Sequence, residues 1–148
     1  MDILWKIKPF ETLTTAELYN LLQIRNEVFI VEQNCVYQDV DSKDQKAYHI
    51  LGELDGIVVA YARLFKPKDY FDEASIGRVL VKQTHRNFKL GHLLMERAIC
   101  FISSELGEIK ITISAQLYLK FFYESHGFIQ TSDTYLEDDI PHIEMKRG

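Results

Sequence analysis

Cysteine is scarce in this sequence: there are 2 in 148 residues, Cys35 and Cys100, and they lie 65 positions apart. That number and spacing match neither a disulfide framework nor a metal-binding motif. The 5 histidines supply no metal-ligand spacing either, so we expect no metal site. The 3 prolines and 7 glycines are scattered, and no low-complexity linker interrupts the chain.

Long hydrophobic runs and a basic surface are also missing. No apolar run approaches the roughly 18 residues that span a bilayer, and residues 1–6 lack the basic-then-apolar pattern of a secretory signal. Lys and Arg number 17 against 22 Asp and Glu, which gives a net charge of −5, and the longest basic cluster is Lys146-Arg147. We therefore expect neither nucleic-acid binding, which needs a basic face, nor a membrane partner.

What is present is enough apolar sequence for one folded domain. Hydrophobic residues make up 47% of the chain and charged residues 26%, a composition typical of globular proteins. A length of 148 residues fits one domain, so we expect residues 1–148 to form a single domain of a reduced, cytoplasmic protein.

Acidic residues cluster at two places, at Asp39, Asp41 and Asp44 and again at residues 137–139. Charge runs of this kind usually lie in solvated loops. They could instead surround the mouth of a site and attract a cationic, amine-bearing ligand. Both interpretations are open at this point.

The apolar pattern predicts alternating helices and strands. Thr14 and Glu17 form a capping box at the start of a helix that runs to about residue 31. Asp55-Gly56 favours a type I′ turn between strands at 48–54 and 57–65. We predict further strands at 75–81, 109–114, 128–131 and 143–146, and further helices at 90–106 and 117–125, with Gly127 ending the last. A strand–helix–strand unit beside a hairpin implies a mixed sheet, so the fold class is α/β.

The junction between the strand at 75–81 and the helix at 90–106 is the most informative segment. It reads Arg86-Asn87-Phe88-Lys89-Leu90-Gly91. The first amides of a helix are unpaired and its dipole favours negative charge, so this loop could hold a phosphate or pyrophosphate with Arg86 beside it. Any strand-to-helix loop has free amides, so this pattern alone is a weak signal.

Two motifs resemble the GNAT superfamily of N-acetyltransferases. Arg86 followed five residues later by Gly91 is similar to the family's pyrophosphate-binding motif, Gln/Arg-x-x-Gly-x-Gly/Ala, although Lys89 stands where the family usually has its first glycine. Tyr123, with Gly127-Phe128 after it, is similar to the family's Tyr-x-x-x-Gly-Phe signature. Runs along nearly the whole chain resemble the ElaA-type subfamily, at residues 25–35, 37–41, 49–52, 76–79, 115–116 and 140–145.

The resemblance implies a partly splayed mixed sheet flanked by helices, with acetyl-CoA lying between two diverging parallel strands. It assigns the pantetheine to the backbone of Val79, Leu80 and Val81, with Gln116 as a further contact. It assigns the pyrophosphate to the loop residues Arg86, Asn87, Phe88, Lys89, Leu90, Gly91 and His92. The acceptor would be a small-molecule or peptide amine that attacks the thioester directly in a ternary complex, and homodimers are common in the family.

Tyr123 is the candidate general acid that protonates the leaving CoA thiolate, because a phenol stays protonated at neutral pH. Core packing would also explain a tyrosine here. Candidate general bases or acceptor-binding residues are His142, His49 and Glu32, and water can replace any of them. The same fold could also serve as a non-catalytic acyl-CoA sensor or as a protein-interaction domain.

Overall fold

A computed structural model describes residues 2–148 of the chain. Its strands are β1 (Leu4–Pro9), β2 (Tyr48–Leu54), β3 (Ile57–Phe65), β4 (Ala74–Val81), β5 (Ile111–Gln116), β6 (Ile129–Gln130), β7 (Tyr135–Glu137) and β8 (Ile140–Arg147). Its helices are α1 (Thr15–Arg25), α2 (Leu90–Ser104) and α3 (Lys120–Glu124), and a π-helical segment, Asn26–Glu32, continues α1. Among the described residues, no helix has the length and apolar character needed to cross a membrane.

The eight strands found in residues 2–148 form one mixed sheet in the order β1-β2-β3-β4-β5-β8-β6, with β7 also paired to β8. The predicted parallel pair is β4 with β5, and it is short: Ala74 pairs with Ile111 and Ser75 with Thr112. Beyond these two pairs the strands diverge and open a cleft in the middle of the sheet. The predicted α/β fold with a partly splayed sheet is therefore confirmed.

Helices cover both faces of the sheet. Successive residues of each strand point to opposite sides, so each face carries apolar side chains that a helix can bury. On one face, buried side chains of α1 pack against the sheet; this core comprises Leu21, Ile24, Val28, Leu51, Val58, Tyr61 and Leu80. On the other face, α2 and α3 contribute Leu94, Met95, Ala98, Ile102 and Tyr123 to a larger core. These two cores position the helices that border the cleft.

Local sequence signals produce the geometry that they predict. The Thr14 hydroxyl accepts a hydrogen bond from the Glu17 backbone N–H at 3.1 Å, and the Glu17 carboxylate accepts one from the Thr14 N–H at 2.9 Å, which completes the capping box. Asp55 and Gly56 have φ angles of 53° and 79°, as a type I′ turn requires. Gly127, with φ 89°, follows α3 in the left-handed conformation typical of a helix end.

The structure differs from the predicted elements at both ends of the sheet. β1 is absent from the predicted elements, although residues 5–8 alternate apolar and charged side chains as a half-exposed strand does. It pairs antiparallel with β2. The helix predicted at 117–125 is a 3₁₀ turn, Leu117–Leu119, followed by the five-residue α3. The last strand begins at Ile140 instead of residue 143, because it pairs with the unpredicted β7.

A buried ionic network ties the loop before β2 to the sheet. Arg25 is fully buried and donates hydrogen bonds at 2.8 Å to Asp39 Oδ2 and to Asp44 Oδ1. Arg63 donates to the same Asp44 oxygen at 2.9 Å and to Asp41 Oδ2 at 2.6 Å. The network holds the loop against the face of the sheet that α1 covers.

Arg78 completes this network, since its Nε lies 2.7 Å from Asp39 Oδ1. Three arginines therefore neutralise the three aspartates of the first acidic cluster. Both interpretations of that cluster from the sequence are wrong: it is neither a set of solvated charges nor a negatively charged mouth. Its function in the structure is to anchor a long loop.

Candidate functional site

The cleft between the diverging ends of β4 and β5 has a volume of about 550 Å³. One wall consists of β4 and the loop that follows it, and the other of β5, α3 and the β7–β8 hairpin. The π-helical continuation of α1 lies along part of the rim. The site residues predicted from the sequence that line the cleft are Glu32, Val79, Leu80, Val81, Arg86, Lys89, Gly91, His92, Gln116, Tyr123 and His142.

A β-bulge bends β4 where the cleft opens. Tyr61 of β3 pairs with Leu80 and Arg63 with Gly77, so β4 has one residue more than β3 over this interval. Arg78 lies inside it with φ 49°, a left-handed conformation that is uncommon outside glycine and occurs at bulges. The bulge directs the second half of β4 away from β5, so the backbone of β4 on that side faces the cleft.

The N-terminus of α2 forms one end of the cleft. Lys89 directly precedes the helix with φ 57° and ψ 26°, a conformation that glycine adopts without strain. It lines the cleft and adds an ammonium group to the positive end of a 15-residue helix dipole. A Cβ atom on Gly91 would lie 3.4 Å from the Phe122 ring, so a large side chain there would occupy the cleft.

Arg86 joins the end of β4 to the end of the π-helical segment. Its Nη1 and Nη2 donate hydrogen bonds to the two carboxylate oxygens of Glu32 at 2.6 and 2.8 Å. Its Nε donates to the carbonyl oxygen of Val81 at 3.0 Å. The guanidinium is therefore held at the same end of the cleft as the α2 N-terminus.

Tyr123 lies in the wall of the cleft and is 6% exposed. Its ring packs edge-on against Phe122 and Phe128, with centroid distances of 5.1 and 6.1 Å. Burial raises the pKa of the phenol, and nearby Tyr118 raises it further, while no hydrogen bond within the described chain engages the hydroxyl. Tyr123 is thus a protonated donor without a protein partner beside the cleft.

His142 on β8 lies beside Glu137 of β7 in the same wall of the cleft as Tyr123. His142 Nδ1 is 2.7 Å from the carbonyl oxygen of Ile140. Since a carbonyl only accepts, Nδ1 carries the proton and Nε2 is the basic nitrogen of the neutral ring. That nitrogen lies 3.4 Å from Glu137 Oε2, and Ser114 Oγ donates to Glu137 Oε1 at 3.1 Å. The ring is therefore oriented with a proton acceptor at the cleft.

Comparison with known proteins identifies the family. The model of the acetyltransferase (GNAT) domain matches residues 14–147. The chain belongs to the GNAT family. Protein ElaA of Escherichia coli K12 is 41% identical over 145 residues, which cover 97% of this chain and 95% of ElaA. The resemblance to the GNAT superfamily and its ElaA-type members is confirmed.

Solved structures of relatives have the same GNAT fold. The crystal structure of Escherichia coli ElaA has a TM-score of 0.93 and 40% identity, over 99% of this chain and 100% of that one. An acyl-CoA N-acyltransferase from Pseudomonas aeruginosa has a TM-score of 0.95 and 42% identity, over 99% of this chain and 100% of that one. This chain is similar to both along its whole length.

GNAT membership implies a CoA thioester as co-substrate, and the geometry of the cleft fits one. A chain with amide groups can lie along the cleft-facing backbone of β4. Its phosphates would then meet the α2 N-terminus with Lys89 and Arg86. Within residues 2–148 no cluster of ligating side chains could hold a metal ion.

Four of the predicted residues lie outside the set that lines this GNAT cleft: Asn87, Phe88, Leu90 and His49. Leu90 is buried, and Phe88 is exposed on the outside of the loop. Their side chains therefore face away, although the backbone amides at the start of α2 still belong to this end of the cleft.

His49 is fully buried on β2 and does not face the cleft. Its Nε2 donates to the backbone oxygen of Asp44 at 2.9 Å, so its Nδ1 accepts from the Tyr61 hydroxyl at 2.6 Å. Burial lowers its pKa, which favours the neutral ring. The structure gives His49 a structural position, and we do not propose it as a substrate-binding residue.

Sequence reasoning missed several residues that border the cleft, and Gln33 and Ser114 are two of them. The side chain of Gln33 lies 3.4 Å from that of Gln116 on the far wall, and no local signal predicts this contact across 83 positions. Ser114 hydrogen-bonds both Glu137 and the Tyr135 hydroxyl. The only local signal for Ser114 is its place at the end of the strand predicted at 109–114.

Proposed function

We propose that this protein transfers an acetyl group from acetyl-CoA to a primary amine by direct attack in a ternary complex. The observation that carries the proposal is the protonated Tyr123 phenol, which lacks a protein partner in the cleft between β4 and β5. GNAT membership supports an acyl-CoA donor, and the dimensions of the cleft agree with one.

In this proposal, the cleft holds acetyl-CoA through backbone and charged groups. The backbone of residues 79–81 pairs with the pantetheine amides, and the carbonyl of the thioester is polarised by a backbone N–H of β4. The first amides of α2, Lys89 and Arg86 bind the pyrophosphate, and Gln116 contacts the donor from β5. Donors that are already oriented stabilise developing charge without reorganisation, which is typically the largest catalytic effect.

The chemical step needs one acid and one base. The amine nitrogen attacks the thioester carbonyl carbon, the C–S bond breaks, and Tyr123 gives its proton to the leaving sulfur. The proton released by the amine goes to His142 Nε2, beside the Glu137 carboxylate, or to water. Tyr123 then regains a proton from solvent, so the products are the amide and CoA with a free thiol.

The acceptor is an amine because the far end of the cleft has groups that can bind one. The carboxylate of Glu137 and the imidazole of His142 accept hydrogen bonds there, and Asp138 lies beside them. We therefore propose a small-molecule or peptide amine, held by these groups with its nitrogen near the thioester. Glu32 pairs with Arg86 at the other end of the cleft, so we do not include it among the acceptor contacts.

The test measures the release of CoA from acetyl-CoA in the presence of a panel of primary amines. A thiol reagent detects the free CoA. Tyr123→Phe should lower kcat by about 10² to 10⁴, the range for removing a general acid, with the acetyl-CoA dissociation constant unchanged. Tyr19→Phe, the same change at an exposed position on α1, is the matched control and should behave as the wild type. Full activity of Tyr123→Phe would refute the assignment of the acid. Binding of acetyl-CoA with no release for any amine would instead indicate an acyl-CoA sensor.

A further inference from the structure

The Arg86–Glu32 ion pair uses the whole hydrogen-bonding fork of the arginine. Both terminal nitrogens donate to the carboxylate, at 2.6 and 2.8 Å, while Nε is occupied by the Val81 carbonyl at 3.0 Å. Both side chains line the cleft. The pair therefore lies inside the proposed acyl-CoA site.

A phosphate and a carboxylate compete for the same arginine geometry. The planar fork of a guanidinium matches either anion through two parallel N–H···O bonds, and it cannot present that fork to both at once. Glu32 would also repel a pyrophosphate that approached with the pair intact. Binding at this end of the cleft thus favours loss of the Glu32 contact.

The cost of breaking the pair is small. The side chains of Arg86 and Glu32 are 40% and 28% exposed, so water screens their attraction. Ion pairs of this exposure contribute little stability to the protein. The segment after Glu32 makes weak contacts across the cleft: Gln33 lies 3.4 Å from Gln116, and Cys35 Sγ lies 3.2 Å from the Asp138 carbonyl oxygen. These contacts would resist a displacement of Glu32 only slightly.

We propose that Glu32 is a positioning residue that occupies Arg86 in the free protein, and that the pyrophosphate of the CoA thioester displaces it. Glu32 thus keeps the guanidinium at the cleft and lowers the apparent affinity for the donor. The displaced carboxylate is then free at the rim. This inference rests on the acyl-CoA binding of the proposed function.

Calorimetric titration with acetyl-CoA tests the exchange. Glu32→Gln should bind acetyl-CoA about two- to fivefold more tightly than the wild type, because an exposed ion pair no longer has to break. Glu27→Gln is the matched control: Glu27 lies on the same helical segment and pairs with Lys82 at 3.0 Å, and neither residue lines the cleft. Its affinity should equal that of the wild type. An unchanged or weaker affinity of Glu32→Gln overturns the inference.

A second background separates competition from simple charge repulsion. If Glu32 acts through Arg86, adding Glu32→Gln to the Arg86→Ala variant should give no gain in affinity for acetyl-CoA. A gain of equal size in that background would mean that Glu32 merely repels the phosphates, and it would overturn the exchange.

Dephospho-CoA tests which phosphate is involved. It keeps the pyrophosphate and lacks the 3′-phosphate, so the gain from Glu32→Gln should persist with it, and loss of the gain would contradict the pyrophosphate assignment. If the folded wild type does not bind acetyl-CoA at millimolar concentration, the proposed function fails together with this inference. If it binds and Glu32→Gln brings no gain, this inference fails alone.

Discussion

Asp44 accepts hydrogen bonds from two buried arginines through one oxygen, and this makes Asp44→Asn a sensitive test of the ionic network. Arg25 Nη1 and Arg63 Nη1 lie 2.8 and 2.9 Å from Asp44 Oδ1. The asparagine keeps the shape and one acceptor oxygen, but it removes the charge that faces the two guanidiniums. The backbone oxygen of residue 44 still accepts from His49.

The expected cost is large because two buried cations lose a counter-charge. Removing one partner of a buried ion pair costs about 3–5 kcal/mol, and the retained amide oxygen favours the lower end. For a chain of this size each kcal/mol shifts Tm by about 2–4 °C, so Tm should fall by about 6–12 °C. Thermal unfolding followed by circular dichroism at pH 7 measures the shift.

Asp55→Asn is the matched control for this change. Asp55 lies in the left-handed conformation of the β2–β3 turn, which asparagine adopts readily. The Tm of Asp55→Asn should therefore differ from that of the wild type by less than about 2 °C. If Asp44→Asn also unfolds within about 2 °C of the wild type, the network does not stabilise the loop, and the interpretation of the acidic cluster as an anchor is wrong.

Two further predictions concern the phosphate end of the cleft and the effect of pH. Lys89→Gly should raise the free energy of unfolding by about 0.5–1 kcal/mol in denaturant unfolding, because glycine relieves the left-handed strain. It should also weaken acetyl-CoA binding in calorimetry, because the ammonium group is lost. Lys89→Gln should weaken binding in the same way without the gain in stability. Stability should fall below about pH 6.5, because burial lowers the pKa of His49 and the unfolded chain takes up its proton first. It should fall more steeply below about pH 4.5: burial alone would raise the pKa of Glu17 and of Asp41, but hydrogen bonds and nearby cations outweigh it and lower both to about 2, so both carboxylates stabilise the fold at neutral pH. A profile that is flat from pH 7 to 3 in denaturant titrations would contradict this.

Local signals predicted the parts of the fold that depend on neighbouring residues. The capping box at Thr14 and the turn at Asp55-Gly56 each depend on fewer than five consecutive residues, and both have the predicted geometry. The parallel pairing of β4 with β5 followed from the strand–helix–strand order. The resemblance to the GNAT family then supplied the splay that no local pattern encodes.

Contacts between distant segments account for what the sequence did not predict. Arg63 contacts Asp41 and Asp44, which lie about twenty positions before it in the chain. The sequence does not show that arginines pair with the acidic cluster, so it predicts a solvated cluster or a charged mouth. The same limit applies to His49, which is buried against Tyr61 of the neighbouring strand and the backbone of Asp44. The left-handed conformation of Lys89 also escaped prediction, because it is uncommon for residues other than glycine.

Binding of acetyl-CoA in the cleft is tested most directly by calorimetric titration of the wild type and of Gly91→Trp. The indole would project toward Phe122, from which a Cβ at position 91 is 3.4 Å away, and so occupy the donor site. We expect the wild type to bind with a micromolar dissociation constant and Gly91→Trp to bind at least about tenfold more weakly while still unfolding cooperatively. No binding by the folded wild type at millimolar acetyl-CoA, or equal binding by a folded Gly91→Trp, would contradict an acyl-CoA site between β4 and β5.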